Sequence, residues 1–166
     1  MKIEEPNPYG PTSPEAITQF EARRGVLLPL DYKQFLLKSN GGYPTPNVFE
    51  VPEWHGQGNS VMSFYGIHDG SKGKRLDRAC EVYDERIPAD LIPIADDANG
   101  NAICIGWKGE REGKIYFWDH EDELDEDGDF VKDYRNVFVV ANSLQEFLDN
   151  LMTLEDFEMK HPTKGT

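Results

Sequence analysis

The chain has 166 residues, 38% of them hydrophobic and 11% aromatic, which is enough to bury the core of one domain and too much for a disordered chain. Its 31 acidic and 17 basic residues leave a net charge of −14, a balance that repels phosphate backbones and sets nucleic acid aside as a partner. The same charge attracts basic proteins, although solubility alone is the plainer reading. No run approaches the ~20 apolar residues that cross a bilayer, and the opening MKIEEPNPYG lacks the apolar centre of a secretory signal, so the expected setting is the cytosol with no membrane contact. Two cysteines, Cys80 and Cys104, fall in an amphipathic segment and a core strand and read as reduced thiols.

Residues 1–13, rich in Pro and charge, predict an extended lead-in packed through Tyr9. Ser13 and Pro14 then form an N-cap followed by proline at the first helical position. Ala16, Ile17 and Phe20 give that helix its apolar stripe, and Gly25 supplies a left-handed stop. An apolar crossing, VLLP, leads to a second helix. There Asp31 is the expected cap with Gln34 closing the box, and Leu30 and Phe35 take staple positions. Asn40-Gly41-Gly42 ends it.

The next segment predicts an edge strand over 48–51, an exposed loop over 54–59 and a strand over 61–67. Lys72, Lys74, Arg75 and Arg78 precede a helix running to about Glu85, and a solvated face explains the basic cluster. Residues 92–95, 101–107 and 115–118 then read as three strands of an antiparallel meander, with Ile103 and Ile105 alternating against small neighbours. Gly100 and Gly113 sit in the two turns, where a positive φ is useful. After an acidic run comes a strand over 137–141. A last helix follows, capped by Ser143 with Glu146 in the box position and Leu144, Phe147, Leu148, Leu151 and Met152 on its apolar face. Residues 155–166 carry no clear pattern. The expected fold is a single α+β domain over 14–153. Its mainly antiparallel sheet would have about five or six strands, with helices from both ends of the chain on one face and a tail over 154–166.

Two stretches resemble the SUKH superfamily, which groups bacterial immunity proteins with fungal cell-wall synthesis regulators. ITQFEARRGVLLPLDYKQFLLKSNGG is similar to its opening: a helix, an apolar-Pro crossing, the acidic-aromatic start Asp31-Tyr32 and the Asn-Gly-Gly stop. IPIADDANGNAICIGWKGEREGKIYFWDHE resembles its central meander, ending in Trp-Asp-His. The likeness covers most of residues 14–153. It departs at Asn101, where many members carry Asp, and any contact made through that carboxylate is in doubt here. The resemblance implies a domain that binds and neutralises a toxin, often a nuclease or another polymorphic-toxin domain, and it does not imply catalysis.

The run DHEDELDEDGD holds eight carboxylates in eleven residues: Asp119, Glu121, Asp122, Glu123, Asp125, Glu126, Asp127 and Asp129. Without them the net charge would be −6. Crowded carboxylates are relieved by an opposing basic surface, so the run is the candidate partner-binding element, a phosphate mimic for a toxin that binds nucleic acid. A mobile solvated loop is the alternative. Trp118 beside it is a candidate aromatic anchor, which core packing explains equally well.

No metal or cofactor is expected. Placing Gly128 at the sixth position of a calcium loop leaves Glu123 at the first and Tyr134 at the last, which is not an EF-hand, though loose divalent binding stays open. His55, His68, His120 and His161 are scattered and the cysteines are unpaired in motif, which disfavours zinc. His120 next to Asp119 could serve as a general base, but no nucleophile motif accompanies it, so the chain is not expected to be an enzyme. The favoured reading is a cytosolic immunity protein that blocks a cognate toxin with a basic surface. A non-toxin interaction module in cell-wall or regulatory signalling is the alternative.

Overall fold

The computed structural model describes residues 1–5 and 7–162, so the end of the expected tail, residues 163–166, lies outside the described residues. Five antiparallel strands form the main sheet: β5 (Ser63–Phe64), β6 (Leu91–Asp96), β7 (Ala102–Gly106), β8 (Ile115–Trp118) and β9 (Val137–Ala141), in that spatial order. Two small two-stranded sheets flank it. One joins β1 (Lys2–Glu5) to β2 (Tyr43–Thr45), and the other joins β3 (Val48–Glu50) to β4 (Gly58–Ser60). The helices are α1 (Pro14–Arg24), α2 (Leu30–Ser39), α3 (Leu76–Tyr83), α4 (Leu144–Asp149) and α5 (Leu154–Lys160).

The meander is built on matched sizes. Ala102 faces Trp118 and Cys104 faces Tyr116 across β7 and β8, so each large ring lies against a small neighbour on one face of the sheet. On the other face Ile103 faces Phe117 and Ile105 faces Ile115. That second set joins the main core with Ile17 and Phe20 of α1, Tyr32, Phe35 and Leu36 of α2, and Leu144 and Phe147 of α4. Helices from both ends of the chain therefore share one face, as the pattern predicts. The opposite face carries a smaller core of Tyr83, Ile87, Leu91, Ala102, Cys104, Tyr116 and Trp118. Both cysteines are buried free thiols, and burial pushes the Cys80 thiol up to about 12 and that of Cys104 higher still.

Ser13 caps α1 by accepting from the Ala16 amide, and Gly25 ends it at φ +67°. Asn40 ends α2 in the left-handed region and does more than stop it. Its amide donates to the Gly10 and Ile67 carbonyls, and its oxygen accepts from the Ile67 amide at 2.7 Å. Gly41 follows at φ +91°, where a Cβ would sit 2.7 Å from the Phe64 carbonyl oxygen.

Four local expectations need correction. Pro29, not Asp31, stands at the cap of α2, and the Asp31 carboxylate accepts from the Leu144 amide at 3.2 Å, tying α2 to the start of α4. Leu30 is 71% exposed and staples nothing. The strand expected over 61–67 is only Ser63–Phe64, because the chain opens its ladder earlier, in β4, within the segment expected to be loop. The segment after Thr153 is a helix: Thr153 caps α5 by accepting from the Asp156 amide, and Glu50 in β3 pairs with His161 at 2.8 Å and Lys160 at 3.4 Å. The hydrogen bond from His161 is the main reason that the Glu50 carboxyl lies below its ordinary range. Among the described residues, no helix is long and apolar enough to cross a membrane.

Candidate functional site: an anchored acidic finger

The acidic run leaves the sheet at the end of β8 and returns to it at β9, and the structure divides its residues into two groups. Asp119 and Glu123 belong to the fold. Asp119 is 1% exposed, and its carboxylate accepts from the Trp54 indole at 2.7 Å and from the Glu121 amide at 3.0 Å. Its carbonyl accepts from the Asn136 side chain, and its amide donates to the Asn136 carbonyl, which closes the two ends of the segment. Glu123 takes a two-pronged contact from Arg86, at 2.7 and 3.2 Å. The same guanidinium lies 5.0 Å from the Tyr83 ring centre and 5.1 Å from that of Trp118. Trp118 has no exposed surface and packs edge-on against Tyr83, so it anchors the sheet's second core and not a contact surface.

Between these fastenings, residues 123–131 form a short hairpin-like finger. The Val131 amide donates to the Glu123 carbonyl, Leu124 bridges Phe130, and the Asp125 amide donates to the Asp129 carbonyl. The Asp125 carboxylate closes the tip by accepting from the Asp127 and Asp129 amides, both at 2.9 Å, and Gly128 turns the chain at φ +85°. Further along, the Tyr134 hydroxyl donates to Asp90 at 2.7 Å while Arg111 stacks on the Tyr134 ring. The run is thus a hydrogen-bonded element on a fixed base and not a loose loop.

Glu121, Asp122, Asp125, Glu126, Asp127 and Asp129 are exposed. His120 stands 3.5 Å from Glu121. Among the described residues, no Lys or Arg comes within ion-pair distance of Asp122, Asp125, Glu126, Asp127 or Asp129. Five cations elsewhere are engaged with other groups: Lys132 with Glu85, Arg135 with Asp133, Lys74 with Ser63 and Asp96, Arg75 with Asp77 and Arg78 with Glu81. Three of the four cations in the basic cluster, Lys74, Arg75 and Arg78, are therefore paired on the surface.

The Asp119 carboxylate and the His120 ring are turned to different partners. The His120 Nδ1 lies 2.7 Å from the Asn101 oxygen. The Asn101 amide already donates to Asp97 at 2.7 Å, so that oxygen is the acceptor and Nδ1 carries the proton. Asn101 is 3% exposed and also accepts from the His120 backbone amide. Asp97 receives donors from Asn59, from the Asn101 side chain, and from the Asn99 and Asn101 amides. Position 101 therefore needs a side chain that donates one way and accepts the other, and a carboxylate cannot do both. Asn101→Asp should cost about 1–3 kcal/mol at neutral pH, because two carboxylates would meet at hydrogen-bond distance. One of them would take a folded-state pKa above its unfolded value. The loss should be full above that raised value, shrink as pH falls through it and vanish below the unfolded carboxylate range, and denaturant unfolding at pH 7 and pH 4 checks it.

Leu124 and Phe130 escape a reading based on charge alone, although Leu124 is the one apolar residue inside the acidic run. Among the described residues, no three His, Cys, Asp or Glu side chains gather to hold a metal ion. One Asp125 oxygen accepts from two backbone amides.

The model of the SMI1 / KNR4 family (SUKH-1) matches residues 11–150. The chain belongs to this family. Members of the family are generally immunity or regulator modules. The chain is also similar to YokK, a SPbeta prophage-derived uncharacterized protein of Bacillus subtilis (strain 168). The two are 34% identical over 154 residues, which covers 83% of this chain and 73% of YokK. The matched span takes in α1, α2, the five-stranded sheet and α4 of this SUKH-1 chain, together with the acidic finger between β8 and β9.

Proposed function

We propose that this chain is a cytosolic immunity protein that neutralises a cognate toxin by stoichiometric binding, with the finger facing a basic surface on that toxin. One observation carries the reading: Asp122, Asp125, Glu126, Asp127 and Asp129 stand in solvent without a Lys or Arg partner among the described residues, on a base fastened through Asp119 and Glu123. Unpaired carboxylates held close together repel one another, and a cationic partner removes that cost while the fixed base spares the entropy of ordering the loop. The finger would cover the phosphate-binding surface of a nuclease, and long-range attraction would speed encounter. Trp118, fully buried, has no part in the contact.

The test is co-expression with the polypeptide encoded by the gene next to this chain's own. Growth arrest by that polypeptide alone, and rescue by this chain at equal expression, supports the proposal. Rescue requires no turnover, so one molecule of this chain should protect against one of toxin. A neighbour that harms no cell, together with a non-toxic binding partner, would favour an interaction module in cell-wall or regulatory signalling, the other role that the family holds.

A further inference from the structure

Leu124 and Phe130 face each other across the finger, so their side chains lie on the same side of it. They are 51% and 46% exposed. Strand alternation explains why. One step nearer the base, Glu123 turns inward onto Arg86 and Val131 is buried at 5% exposure, so the next pair must turn outward. The inward positions of the finger serve its own fold, and the outward positions hold two large apolar groups in solvent. Single exposed apolar residues are ordinary on a protein surface. A backbone-paired couple with exposed carboxylates before it and between its members in the chain has the layout of a contact patch, with an apolar centre and a charged rim.

We infer that Leu124 and Phe130 are the docking centre of the finger, and that its occupant is a basic protein surface with an apolar depression. Charge complementarity selects that occupant, because the rim carboxylates have no Lys or Arg partner among the described residues. A second copy of this chain, also at −14, is repelled by the same rim. The inference rests on the reading of the finger as a partner-binding element, but it does not need the partner to be a toxin.

The division of labour follows from the chemistry. The rim acts at a distance and governs association, whereas the apolar pair acts only in contact and governs dissociation. The experiment places the photo-crosslinker p-benzoylphenylalanine at 124 or 130 in the full-length chain, in the cells it comes from, with positions 82 and 154 as exposed apolar controls. The expected result is one basic protein crosslinked from 124 and 130 and not from the controls. With that protein purified, Leu124→Ser/Phe130→Ser should raise the dissociation rate about 30-fold and leave the association rate within about two-fold. A crosslinked toxin supports both this inference and the proposed function. A crosslinked basic protein that is harmless to the cell supports the docking centre and overturns the toxin. Equal crosslinking from the controls, an acidic product, a homodimer, no product, or an unchanged dissociation rate overturns the docking centre.

Discussion

Replacing the buried Asp119 by Ala should lower the unfolding free energy by about 2–4 kcal/mol, because it removes the acceptor for a half-buried indole N–H and a backbone amide at once. The Trp54 ring packs against Phe117 at 4.8 Å between ring centres, and its nitrogen has the Asp119 carboxylate as partner, so the loss propagates from the base of the finger into the loop between β3 and β4. Asp119→Asn should recover part of the loss. Its oxygen can still accept from Trp54, but its amide would face the Glu121 N–H as a second donor. Denaturant unfolding of the three proteins checks this order: wild type, then Asn, then Ala. If Asp119 were a partner contact, Ala would leave stability within about 0.5 kcal/mol of wild type and lower only binding.

The contrast between Asp119 and the tip of the finger also shows which parts of the molecule local sequence can reveal. Ser13-Pro14 with Gly25, and Ser143 with Glu146, are punctuation marks whose partners lie within a few residues, so both helices are legible. The meander is legible because Ala102 and Cys104 leave room for Trp118 and Tyr116. Asp31 fits a capping box by spacing, yet its partner is Leu144, which is 113 positions away. Glu123 looks like its acidic neighbours until Arg86 is brought against it from 37 positions upstream. The parity of β8 places Trp118 on the side of Tyr116, but only the end of α3, with Tyr83 and Arg86, covers that side. α5 is hard to read because its Leu154 and Met159 are exposed, so its seven residues show no apolar stripe. Leu124 and Phe130 are the opposite case. Two apolar residues flanking an Asp-Gly turn are a hairpin signal written in the sequence, masked by the charge around it.

Reversal of the tip should act on binding and spare the fold. The side chains of Glu126, Asp127 and Asp129 accept no hydrogen bond and pair with no Lys or Arg among the described residues. Glu126→Lys/Asp127→Lys/Asp129→Lys should therefore keep unfolding free energy within about 1 kcal/mol of wild type, since these are surface changes away from any cap or buried partner. Asp125, whose carboxylate closes the tip turn, is left in place so that the finger keeps its shape. Against a cationic partner, the six-unit change in charge should slow association about 10- to 100-fold at low salt. Rescue in the co-expression assay should fail in proportion.

Stopped-flow association of the wild-type and charge-reversed chains with the adjacent-gene polypeptide, from about 20 to 500 mM salt, tests the anchored acidic finger most directly. The account predicts a wild-type association rate that falls steeply with salt, and a variant rate that begins low and is nearly flat or rises. Equal rates and equal salt slopes for the two proteins would contradict it.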